Sequence, residues 1–134
     1  LIEKRENNSI KEIFNAKGEN YFRKIEEKTT LEILKKNNLI IALGGGAFMN
    51  SIIRRKIKNT SISFWLDLSL KFLLPRLKNV KKRPLINQDK MVDSINKIYS
   101  ERKKIYNESD FKINCNSTEI DEVVKKIIKI YENS

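Results

Sequence analysis

At 134 residues, with 40% hydrophobic content and one cysteine, the chain has the size of a single domain and enough apolar material for a core, which excludes wholesale disorder and an internal disulfide. It contains no histidine, which removes Ser-His and Cys-His nucleophilic catalysis and most zinc chemistry, and no apolar run approaches the ~20 residues of a membrane span. The formal charge of +11 invites an anionic partner, but the lysines spread over every predicted helix instead of gathering with aromatics, so a lysine-biased composition explains it better than a nucleic-acid surface; a small anionic ligand would draw on the same field.

The chain opens in mid-helix with Leu1-Ile2-Glu3-Lys4-Arg5, leucine standing where a start methionine would, and is expected to be an N-terminally truncated fragment. Ser9-Ile10-Lys11-Glu12 forms a capping box for a helix ending near Gly18, and a second helix runs from about Glu19 to Lys36. Leu39-Ile40-Ile41-Ala42-Leu43 has the length and branching of a buried strand. It breaks into Gly44-Gly45-Gly46, three of only four glycines in the chain, where backbone must approach something closely or take a positive φ. At the carboxyl end of a parallel strand that something is usually a ligand.

A short helix follows, from Ala47 to Lys58. Ser61 to Asp67 is the next strand, Ser69 caps a helix through Leu77, and residues 78–90 make a basic loop containing Lys82-Arg83-Pro84-Leu85. Met91–Tyr106 is helical, Phe111–Cys115 is a third strand, and Ile120, Val123, Val124, Ile127, Ile128 and Tyr131 mark an apolar stripe on a last helix. Strands alternating with helices mean an α/β domain with a parallel sheet. Neither repeats nor a linker interrupt it, so residues 1–134 read as one domain.

Against a lysine-rich background the arginines are informative, because guanidinium offers a rigid fork for carboxylate or phosphate. Arg23 and Glu26, three residues apart, share a helix face. The pair is either an arginine aimed at an anion by its carboxylate or a surface pair worth about 0.2–0.5 kcal/mol. Arg83 could close over phosphates as a lid or simply be solvated. Arg76 and Arg102 stand toward helix ends, where the dipole favours them anyway.

Taken in order, Ser9-Ile10-x-x-Ile13-Phe14, Gly18-Glu19-x-x-Phe22-Arg23-x-x-Glu26, Leu43-Gly44-Gly45-Gly46-Ala47, Trp65-Leu66-Asp67, Arg83-Pro84-Leu85 and Arg102-x-x-x-Tyr106 closely resemble shikimate kinase. The resemblance implies a P-loop kinase-like three-layer fold and transfer of the ATP γ-phosphate to the 3-hydroxyl of shikimate, on the route to chorismate and the aromatic amino acids. It implies that Arg23 and Arg102 fork the shikimate carboxylate and that Gly45 donates its backbone N–H to the substrate, with Gly44 and Gly46 shaping the turn. Glu26 would orient Arg23, and Phe14 and Phe22 would wall the pocket within a substrate-binding region at residues 1–37. Arg83, in the lid at residues 78–90, would meet the ATP phosphates and stabilise transition-state charge. Arg76 would pack on adenine, and Thr118 falls in the adenine loop. The implied protein is a cytoplasmic monomer that binds neither nucleic acid nor membrane.

One part of that pattern is absent. No G-x-x-x-x-G-K-[ST] occurs in the chain. The resemblance therefore implies that the P-loop lysine, the Ser/Thr ligand of Mg2+ and the catalytic aspartate lie upstream of Leu1, together with strands 1 and 2 of a sheet ordered 2-3-1-4-5. The expectation is that these 134 residues alone neither fold stably nor phosphorylate a substrate. The readings beside it are a gluconate kinase-like enzyme, a basic binding module and an inactive remnant.

Overall fold

The computed structural model describes residues 1–78, 91–116 and 119–134, which gather into two compact units, one holding Leu1–Ser61 and the other beginning at Ile62. In the first unit a short helix α1, Ile2–Glu6, precedes the long α2, Ile10–Ile33. The capping box forms as expected. The Glu12 N–H donates to Ser9 Oγ at 3.3 Å, and the Glu12 carboxylate accepts from the Ser9 N–H at 2.7 Å, satisfying donors that a helix start otherwise leaves bare. These Ser9 bonds hold the Glu12 carboxyl below its ordinary value.

α2 is two helical segments meeting at Gly18, whose φ of 78° and ψ of 171° no helix accommodates. In a straight helix residues eight apart lie about 12 Å apart along the axis. The break instead brings the Phe14 and Phe22 rings to 4.7 Å between centroids. α1 is fastened back onto α2 by Arg5, which donates to Glu32 at 2.7 Å, and by the Tyr21 hydroxyl, which donates to Glu6 at 3.0 Å. The Arg5 hydrogen bond also pulls the Glu32 carboxyl downward.

Residues 39–44 carry no strand, contrary to expectation. Leu39 is 52% exposed and Ile40 fully exposed, and among the described residues no strand pairs with this segment. A strand is held by ladder hydrogen bonds and a covered face; an apolar run by itself supplies neither. The chain becomes regular again at a 3₁₀ turn, Ala47–Met49, followed by α3, Ser51–Thr60. Asn50 caps α3 by accepting from the N–H groups of Ile52 and Ile53. The core of this unit joins Leu34, Ala47, Ile53 and Ile57, with Leu43 and Phe48 packed against it.

In the second unit β1, Phe64–Asp67, and β2, Phe111–Asn114, pair in parallel, Phe64 opposite Phe111 and Asp67 opposite Asn114. Between them in sequence come α4, Leu70–Lys78, and α5, Met91–Tyr106; α6, Ile120–Glu132, closes the chain. The parallel pair alternating with helices is the α/β arrangement expected. On α6 the apolar stripe divides: Val123, Ile127 and Ile130 are half-buried, whereas Ile120, Val124, Ile128 and Tyr131 are exposed. No described helix is long and apolar enough to cross a membrane.

Candidate functional site

The residues that converge most tightly are in the first unit. Arg23 lies one turn beyond the Gly18 break, so Glu19 and Glu26 stand at i−4 and i+3 on the same helix face. Arg23 Nη1 donates to Glu26 Oε2 at 2.6 Å, a short charge-assisted bond to a carboxylate whose side chain is only 9% exposed. Arg23 Nε and Nη2 both donate to the single oxygen Oε1 of Glu19, each at 3.3 Å. Phe22 is buried beside them, its ring centroid 5.2 Å from Arg23 Cζ.

The glycine turn packs onto this arginine. A Cβ on Gly46 would come within 2.7 Å of Arg23 Nη2 and 2.8 Å of Cζ, and one on Gly44 within 3.3 Å of Glu26 Oε1. Gly18 is the glycine with positive φ among the described residues. At Gly44 and Gly46, then, the missing side chain leaves space for the Arg23–Glu26 pair; torsion is not the reason. Of the two explanations open from sequence, close approach is the one realised, and the approached group belongs to the chain itself.

Three ties fix the turn. Ala47 is 1% exposed, in the core between α2 and α3. Asn50 Nδ2 donates to Glu27 Oε2 on α2 at 2.6 Å. Arg54 Nη1 donates to the carbonyls of Phe48 and Met49 at 3.1 and 2.8 Å, holding acceptors that the 3₁₀ turn leaves open. Gly45, at the apex, is exposed. The arrangement is a guanidinium steered by carboxylates beside an exposed backbone turn, which suits recognition of a carboxylate carrying hydroxyl groups.

Of the residues expected from sequence, Phe14, Phe22, Arg23, Glu26, Gly44 and Gly46 thus form one cluster, with Gly45 next to it in the turn. Arg102 is half-buried on α5 and Arg76 exposed in the last turn of α4, both in the second unit. Arg83 and Thr118 lie outside the described residues, as does most of the 78–90 lid. Sequence reasoning missed Glu19 as the second partner of Arg23, although the i,i+4 spacing signalled it. It also missed Asn50 and Arg54, whose roles depend on contacts that no local pattern announces.

In the second unit the carboxyl ends of the parallel strands are tied together. Cys115 N–H donates to the Asp67 carbonyl at 2.8 Å, and Ser69 N–H donates to Asn116 Oδ1 at 2.7 Å. Asp67 pairs with Lys112 at 2.9 Å while its other oxygen is buried without a partner among the described residues. Burial, and then the Asp67 charge, pushes the Cys115 thiol above its ordinary value, which makes it a poor nucleophile.

The family model described as shikimate kinase matches residues 1–132. The shikimate kinase of Sulfurihydrogenibium sp. (strain YO3AOP1) is 36% identical over 128 residues, covering 96% of this chain and 76% of that protein. The structure of shikimate kinase from Acinetobacter baumannii in complex with shikimate superposes with a TM-score of 0.92 at 26% identity, over 98% of this chain and 74% of that one. The shikimate kinase structure from Aquifex aeolicus gives 0.84 at 35% identity, over 98% and 76%.

Proposed function

Because the chain belongs to the shikimate kinase family, we propose that it recognises shikimate for ATP-dependent phosphorylation of the 3-hydroxyl. The observation that carries this reading is the Arg23 guanidinium, steered by Glu26 at 2.6 Å and lying against Gly46. In the proposal Arg23 takes the substrate carboxylate as a fork, Glu26 fixes the direction of that fork, and the Gly45 N–H donates to the substrate beside it. Phe14 and Phe22 supply the apolar wall. Arg102 is the second fork, supported by its place in the ordered set of motifs.

Phosphoryl transfer of this kind asks the protein for positioning and positive charge more than for covalent chemistry. The 3-hydroxyl oxygen attacks the γ-phosphorus and gives up its proton to water, the bond to the β,γ-bridging oxygen breaks, and ADP leaves with that electron pair. In this scheme Arg83 neutralises charge on the phosphates, while Arg76 and Thr118 belong to the nucleotide side. Mg2+ would accompany ATP. Among the described residues no group of three or more acidic, cysteine or histidine side chains could hold a metal ion. The reading includes a cytoplasmic monomer.

The test is calorimetry on the full-length protein with shikimate, and with gluconate for comparison. Shikimate binding, abolished by Arg23→Ala while the thermal melt is preserved, is the expected result. Undiminished shikimate binding by the variant, or preference for gluconate, overturns the assignment.

A further inference from the structure

The two carboxylates on Arg23 are not equivalent. Glu26 is buried and bonds at 2.6 Å; Glu19 has a side chain 46% exposed and shares one oxygen between two donors at 3.3 Å, beyond the 2.7–3.2 Å usual for N–H···O bonds. Glu19 sits on the Nε/Nη2 edge, one of the edges at which a guanidinium receives a carboxylate through two parallel bonds. Gly46 lies against the guanidinium and Phe22 packs beside it, while Glu26 holds the Nη1 corner. An incoming carboxylate therefore has a natural landing place in the edge that Glu19 loosely holds.

Charge makes the point sharper. Two carboxylates around one guanidinium sum to −1, so an anion approaching Arg23 meets net repulsion unless one of them withdraws. Glu26 cannot withdraw without exposing a buried, shortly bonded pair. Glu19 can swing into water, where losing an exposed ion pair costs little.

We propose that Glu19 is an internal surrogate for the substrate carboxylate: it holds the Nε/Nη2 edge of Arg23 in register and is displaced when the anionic substrate binds. The proposal rests on Arg23 being the substrate fork, and it assigns Glu19 a role opposite to that of Glu26. Glu26 raises affinity by orienting the fork. Glu19 lowers affinity by competing for it, and in return keeps the arginine from collapsing onto other anions.

In the full-length protein, Glu19→Gln is expected to tighten shikimate binding about fivefold in calorimetry, equivalent to about 1 kcal/mol, with KM for ATP unchanged. Glu26→Gln should weaken shikimate binding at least tenfold. Thermal melts of both variants check folding, and Glu19→Ala, which cannot bond to Arg23 at all, should tighten binding as well. Weaker or unchanged shikimate binding in folded Glu19 variants overturns the proposal while leaving Arg23 as the fork. Failure of the unaltered protein to bind shikimate overturns the reading of the site itself, and is seen before any variant is made.

Discussion

Replacing Gly46 by alanine tests whether the glycine turn is shaped for Arg23. The Gly46 backbone, at φ −94° and ψ −20°, is ordinary for any residue, so the new methyl brings no torsional strain and stabilises by about 0.4–1 kcal/mol through the unfolded chain. The conflict is purely spatial. The methyl would stand closest to Arg23 Nη1 and 2.7 Å from Nη2, against roughly 3.5 Å for an unstrained contact, so the guanidinium must retreat by on the order of 1 Å. A retreat of that size away from Glu26 stretches the 2.6 Å bond beyond the 2.7–3.2 Å usual for such bonds. Weakening that bond leaves the buried Glu26 carboxylate short of a partner at a cost of about 1–3 kcal/mol, so overall stability should fall by no more than about 3 kcal/mol.

Substrate recognition should suffer as well. A charge-assisted bond lost from the fork is worth about 2 kcal/mol, or about thirtyfold in affinity, and displacements near 1 Å commonly have effects of that size. Gly44→Ala, whose methyl would meet only Glu26 Oε1 at 3.3 Å, should have a smaller effect. Calorimetry with shikimate and a thermal melt on each variant give the two readouts. Unchanged affinity in Gly46→Ala, or a large loss of stability without a loss of affinity, would falsify the reasoning.

Two further outcomes concern the scaffold. Ile53→Ala, at a core position 1% exposed between Ala47 and Ile57, should cost about 2–4 kcal/mol in denaturant unfolding; a cost below 1 kcal/mol would mean that this cluster does not anchor the turn. Glu12 and Glu32 both have carboxyls held below their ordinary value, by Ser9 and by Arg5 respectively. A lowered native pKa means that the native state binds fewer protons. This stability is therefore fully present above the unfolded glutamate value of about 4.3 and is lost as pH falls through the lower native values. Melts between pH 6 and pH 3 should show a steeper acid loss for the unaltered protein than for the Glu12→Gln, Glu32→Gln double variant; parallel curves would mean these bonds do not matter in solution.

What the sequence made legible was whatever local chemistry decides. The Ser9–Glu12 box, the break at Gly18, the limits of α5 and the parallel pairing class all follow from short-range rules, and the structure agrees with each. The strand expected at 39–43 was read from apolarity alone, and pairing is a property of two segments. Asn50 illustrates the other gap. Its capping of α3 is local and recognisable, but its bond to Glu27 spans 23 residues. Likewise Arg5 reaches Glu32 across 27. In the site, Arg23 and Glu26 were legible because one helix turn joins them, whereas the packing of Gly46 on the guanidinium required knowing how the turn returns to α2.

Gly18 and Gly46 are the same amino acid kept for reasons of different symmetry. The need at Gly46 exists only while Arg23 does, so a smaller residue at 23 would release it. The need at Gly18 has no partner, for no atom lies within 4 Å of where its Cβ would be, and no second substitution could relieve it. Its φ of 78° and ψ of 171° mirror an extended conformation that any L-residue adopts readily. What the break in α2 requires is therefore not smallness but the absence of handedness, and a D-amino acid at position 18 would satisfy its torsion angles where every L side chain is strained.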